Sequence, residues 1–188
     1  MHALTILSAL LATAAALPKL TERASNWVPA PNSTVTCTQS DKVISFVVGP
    51  QEETVLNDAC AEMMPPCAYS ERLNDTNIAC SQTISWELRG PKTSTQNANV
   101  EMQENGNKLS GWAVKFSVTP PKTDPPNQIM WSKYDCYGYF AQIVEPMAPQ
   151  GCHNSMASGI GSIKVGGGSL AGTIFNIDIV KGEADLSI

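Results

Sequence analysis

The chain has 188 residues, six cysteines and a formal charge of −5 from 12 basic and 17 acidic side chains. The charges are spread along its length, which excludes the clustered Lys and Arg of a nucleic-acid-binding surface. Only two histidines are present, so a His-rich zinc site and acid–base catalysis by a histidine pair are excluded once His2 is removed with the leader described next.

The first residues, MHALTILSALLATAAALPKLTER, carry an apolar run from Ala3 to Ala16 with the small residues Ala14-Ala15-Ala16 at its end. The run is shorter than the roughly 20 residues of a membrane span, and small side chains at the cut suit a signal peptidase. The expectation is a signal peptide at 1–16, a short propeptide at 17–23 ending at Arg23, and one secreted, extracellular domain at 24–188. No later segment is long and apolar enough to span a membrane.

Behind such a leader, an even number of cysteines reads as a disulfide framework. Cys37, Cys60, Cys67, Cys80, Cys136 and Cys152 should form three bridges with no free thiol, since neither CxxC pairs nor nearby histidines point to a metal. The spacing favours Cys67–Cys80 as a local clamp, with the other four joining the helices to the N-terminal arm and to each other. Asn32-Ser33-Thr34 and Asn74-Asp75-Thr76 are glycosylation sequons that fit the same compartment.

In chain order, residues 24–40 read as an extended, Pro-rich arm pinned at Cys37. DKVISFVVG alternates Ile44, Phe46 and Val48 as a strand. QEETVLNDACAEMM changes to a helical stripe of Val55, Leu56, Ala59, Cys60, Met63 and Met64, with Pro50 at its first turn and Pro65-Pro66 closing it. TISWEL is a further strand with Ile84, Trp86 and Leu88 on one face, and GPKTSTQNA reads as a polar loop. NVEMQENGNKLSGWAVKFSV reads as a hairpin turning at Asn105-Gly106, its second arm alternating Trp112, Val114, Phe116 and Val118. TPPKTDPPNQ is a long Pro-rich loop.

WSKYDCYGYFAQIV then reads as a second helix. Ser132 and Asp135 have the spacing of a capping box, and Cys136, Phe140, Ile143 and Val144 repeat at helical period. GSIKVGGGSLAGTIFNIDIV closes the chain as strand, glycine turn, strand, with Phe175, Ile177 and Ile179 on one face. The order predicts an α+β fold, an antiparallel sheet with two helices packed on one face, whose nearest simple template is the ferredoxin-like sandwich.

Catalytic constellations are scarce. His153 lacks a G-x-S-x-G partner and reads as a loop histidine flanking a disulfide. Glu87, Glu101, Glu104 and Glu145 fall at ordinary strand, turn and helix-end positions, so no carboxylate pair stands out for glycoside hydrolysis. KVGGGSLAGT lacks the terminal Gly-Lys-Ser/Thr of a phosphate loop. No catalytic residue, metal ligand or cofactor is therefore assigned. Trp86 and Trp112 fall on apolar strand phases, whereas Trp27 and Trp131 lie beside polar, Pro-rich segments and are the candidates for stacking on a ligand.

With Cys60 in the first helix, Asp135-Cys136-Tyr137-Gly138-Tyr139-Phe140 opening the second, and the closing hairpin, the chain resembles the small cysteine-rich secreted proteins of filamentous fungi. Among these it is most similar to the killer-toxin-like and necrosis-inducing effector families. The resemblance spans roughly Cys37 to Val180 and departs from the toxins in the TPPKTDPPNQ insertion and lower cysteine density. It implies an extracellular, non-enzymatic virulence protein of the apoplast that binds a host or competitor surface protein, carrying over only the cysteines. A wall-polysaccharide-binding protein using Trp27, Trp131 and the tyrosines as stacking platforms is the alternative, and a small secreted hydrolase the third reading. A monomer is expected.

Overall fold

The computed structural model describes residues 27–73, 78–81, 83–122, 128–145, 151–154 and 157–182. The expected signal peptide and propeptide, the Asn74 sequon and residues 123–127 of the Pro-rich loop lie outside the described residues.

The architecture is α+β. Five strands form one antiparallel sheet: β1 (Thr34–Thr38), β8 (Ile160–Lys164), β9 (Ile174–Lys181), β6 (Trp112–Thr119) and β4 (Lys92–Gln96), in that spatial order. Two further ladders flank it, β2 (Lys42–Ser45) with β5 (Asn99–Met102), and β3 (Trp86–Glu87) with β7 (Met130–Trp131). These side ladders and the fifth strand go beyond the four-stranded ferredoxin-like template. Helices α1 (Glu52–Met63) and α2 (Lys133–Val144) pack on the sheet and on each other, α1 against β4 and α2 against β8 and β9.

Alternation along the strands separates the two sheet faces. Val114, Phe116 and Val118 of β6, Phe175 and Ile177 of β9, and Ile163 of β8 are buried beneath the helices. The ring of Phe140 from α2 meets Phe116 and Phe175 edge-on, at 5.1 and 5.4 Å between centroids. The opposite face is polar. One row, read straight across the strands, is Thr36, Ser162, Asn176, Ser117 and Thr93.

α1 buries Val55, Leu56, Ala59, Cys60 and Met63 along one stripe. Its N-cap is Gln51, so Pro50 stands just before the helix; Glu52 and Glu53 in the first turn favour its positive end. The six cysteines form three disulfides, Cys37–Cys152, Cys60–Cys136 and Cys67–Cys80. The first ties the N-terminal arm to the segment after α2, and the second fastens helix to helix. The third is the short local clamp.

Four readings of the sequence are corrected. The N-terminal arm does not run extended to Cys37: residues 31–32 form a turn, and Thr34–Thr38 join the sheet as an edge strand on β8. GPKTSTQNA is no loop: Lys92–Gln96 pair with β6, and Ser94 turns inward to donate to Glu62 of α1. Alternating threonines on a two-layer edge look as polar as a loop. The Asn105-Gly106 turn does not join β5 to β6. Gly106 (φ 68°) folds residues 107–109 back on β5, and Gly111 (φ 75°) then redirects the chain into β6, leaving β5 to pair with β2.

The fourth correction concerns strand length. β2 ends at Ser45 opposite Asn99, the first residue of its partner, so Val47 is 93 % exposed instead of paired. Ile84 is likewise 82 % exposed, because the TISWEL ladder consists of Trp86 and Glu87 alone.

Candidate functional site

α2 starts where its sequence says. Asp135 N–H donates to Ser132 Oγ at 3.1 Å, and Ser132 N–H donates to Asp135 Oδ2 at 2.9 Å, closing a capping box. From that start the helical period sends Cys136, Tyr139, Phe140, Ile143 and Val144 into the core. Tyr134, Tyr137, Ala141, Gln142 and Glu145 are left on the rim, half-buried or exposed.

Gly138 lies on this outer side and is nevertheless buried, because the Trp27 ring lies against it. A Cβ at this position would stand 2.4 Å from the indole carbons. Trp27 Nε1 donates to Asp135 Oδ1 at 3.4 Å, and its ring meets Tyr139 edge-on with centroids 4.9 Å apart. Ala30 N–H donates to the Tyr139 hydroxyl at 3.2 Å. Burial raises the pKa of that hydroxyl, so it remains a neutral partner. The arm ahead of β1 is thereby fastened along α2.

Between this arm and the end of β2 lies an open groove of about 660 Å³. Trp27 and Pro29 form one wall, Phe46 and Val47 the other, and Tyr134, Tyr137 and Ala141 contribute from α2. Its polar lining comprises Glu52, Gln142, Glu145, His153 and two serines, with no Lys or Arg. Ser158 closes the far end: its backbone exchanges hydrogen bonds with Ile44, and its hydroxyl donates to Val144 O at 3.0 Å. That proton is committed to a carbonyl, so Ser158 is not set up as a nucleophile for nearby His153. The arrangement offers flat rings, acceptors and donors to a ligand lying along it.

The residues singled out from the sequence separate as follows. Trp27 is on the groove, half-buried. Trp131 is not: it is 1 % exposed, with its ring 6.5 Å from that of Phe175, and has no face to offer a ligand. It occupies the position just before the N-cap of α2, where an apolar residue staples the helix start to the core; that position is the signal in the sequence. Tyr134 and Tyr137, among the tyrosines expected to stack on a polysaccharide, line the groove beside Trp27, as do Phe46 and His153, to which the sequence assigns no ligand role. A glycine inside a helix, one turn beyond Tyr134 on the same side, is the legible sign of a close approach there.

Asn32 is exposed in a turn with φ 61°, immediately before β1. Ser33 of its sequon donates to Ala30 O at 2.6 Å and accepts from Gly166 N–H at 3.2 Å. Among the described residues no cluster of His, Cys, Asp or Glu could hold a metal ion, and no helix is long and apolar enough to cross a membrane. No family model, curated protein or solved structure matches the chain.

Proposed function

We propose that the chain is a secreted, non-enzymatic binding protein of the effector or toxin-like kind, acting on a host or competitor surface through the groove over α2. The observation that carries this reading is the groove's lining: Trp27, Phe46, Tyr134 and Tyr137 converge on one concave surface. Rings of this kind supply large contact area at low entropic cost, and a helix already held by Cys60–Cys136 loses little freedom on docking. The three disulfides are consistent with an extracellular life. The contact surface in this reading is the groove.

The test is to apply secreted protein to plant tissue and to competing microbes, scoring cell death or growth arrest. A response to native protein that Tyr134→Ala and Tyr137→Ala abolish supports the reading. Turnover of a glycan, ester or peptide substrate by the native chain would overturn its non-enzymatic part.

A second reading, a wall-polysaccharide binder, is favoured by the same rings standing beside Gln142, Glu145 and His153, the mixture that stacks on a sugar face and hydrogen-bonds its rim. Retention on chitin, glucan or cellulose, lost in Tyr134→Ala, would select it. In either case Trp131→Ala acts only through stability.

A further inference from the structure

The two edges of the five-stranded sheet are treated differently. At β4 the strand carries a charge, Lys92, and α1 packs against its inner face, where Ser94 and Gln96 both donate to Glu62 of that helix. At β1 nothing among the described residues pairs on the outer side. Thr34, Thr36, Cys37 and Thr38 are exposed and Val35 is half-buried. The strand TVTCT carries none of the devices that keep sheet edges apart, having no charge, no proline and no bulge.

It is also held rigidly. All of its residues are in register on β8, Cys37 is bonded to Cys152, and Gly166 N–H anchors Ser33 just ahead of it. An edge already fixed in strand form loses little entropy when a partner strand adds to it.

We propose that the β1 edge pairs with the β1 edge of a second copy of this chain, antiparallel about a two-fold axis through Thr36. The sequence is self-complementary in that register. Thr36 faces Thr36 of the other copy, Thr34 faces Thr38, and Val35 faces Cys37. Threonine pairs therefore meet on one sheet face, apolar groups meet on the other, and no like charges are opposed. The result is a continuous ten-stranded sheet with both pairs of helices on the same side. This departs from the monomer expected from sequence and does not depend on the groove.

The experiment is sedimentation velocity on the secreted, oxidised, glycosylated chain from about 10 µM to about 1 mM, the range suited to a small edge interface. A concentration-dependent passage from monomer to dimer is expected. Thr36→Lys and Thr36→Asp, each placing like charges on the axis, should raise the dissociation constant about fivefold to tenfold. An equimolar mixture of the two should restore the dimer, which a misfolded variant could not do. Monomer at every concentration overturns the proposal, and so does a dimer indifferent to both substitutions, which would use another surface. Dimer formed only after enzymatic removal of an Asn32 glycan would also overturn it for the secreted protein, making the glycan the guard of this edge.

Discussion

Along α2, Cys136, Phe140, Ile143 and Val144 are buried in the core, whereas Tyr134, Tyr137, Gly138 and Ala141 line the groove. The inward set is aliphatic, aromatic and covalently bonded, and its exposure to water is nil or nearly so. The outward set pairs small residues with half-buried or exposed tyrosine rings. One helix therefore serves as structural post on one side and as groove lining on the other. The difference teaches where to cut: substitutions inward should be read in stability, and those outward in binding.

The largest loss should follow Phe140→Ala, which empties the space between Phe116 and Phe175. A cost of about 3–5 kcal/mol is expected in urea denaturation. Replacing both Cys60 and Cys136 by alanine opens a covalent loop whose ends are 76 residues apart. About 4 kcal/mol should be lost by the chain-entropy view of crosslinks. A loss much below 1 kcal/mol in either case would mean that α2 is not the post described.

Gly138→Ala tests the boundary between the faces. The added carbon meets the Trp27 ring, so the arm must lift, with a cost of about 1–3 kcal/mol. A red shift of tryptophan emission should accompany it; unchanged emission would show that the ring does not rest there. Ser132→Ala removes the capping hydroxyl and should cost about 1 kcal/mol, with Asp135→Ala giving a similar loss.

At neutral pH the smallest stability effects should come from the outer rim, and alkaline pH adds a separate test. Tyr69, in the 3₁₀ segment Pro66–Arg72, is buried, and its hydroxyl finds no partner among the described residues. Burial raises its pKa from 10.0 to about 12. The unfolded chain ionises this phenol first, so its contribution is fully present below pH 10. That contribution falls away as pH rises through about 12. Tyr69→Phe should flatten that part of the alkaline denaturation profile; an unchanged profile would place the loss elsewhere. Tyr134, 49 % exposed, should change stability by no more than about 0.5 kcal/mol when made alanine. Its response in tissue or on polysaccharide should nevertheless disappear.

Much of the inner face was legible in the sequence. Periodicity located both helices, the capping box placed the start of α2, and the alternation in WAVKFSV and TIFNIDIV located the two central strands. These signals are local, and each residue's burial follows from its phase. The edges were not legible. Threonine alternating with small or polar residues, as in TVTCT and KTSTQ, satisfies strand geometry without an apolar face, so nothing local separates it from a loop. The groove was half legible. Trp27 was identified as a ring with a free side, but Phe46 and His153 reach the site only because the β2–β5 ladder and the segment after Cys152 close around α2. Long-range pairing of that kind leaves no mark in a single sequence.

The Cys37–Cys152 bond has a mechanical consequence. The two half-cystines are 115 residues apart, and both helices lie between them. A chain pulled from points outside that span transmits force through sulfur and not through the helices. At 3.3–3.6 Å per residue, roughly 400 Å of contour is kept out of reach of tension while the bond holds. Only the residues ahead of Cys37 and those after Cys152 can unravel. The part of the groove built by α2 and the end of β2 should therefore keep its shape under tension, while Trp27, His153 and Ser158, outside the span, are free to be drawn away. A reducing environment would remove that protection in a single step.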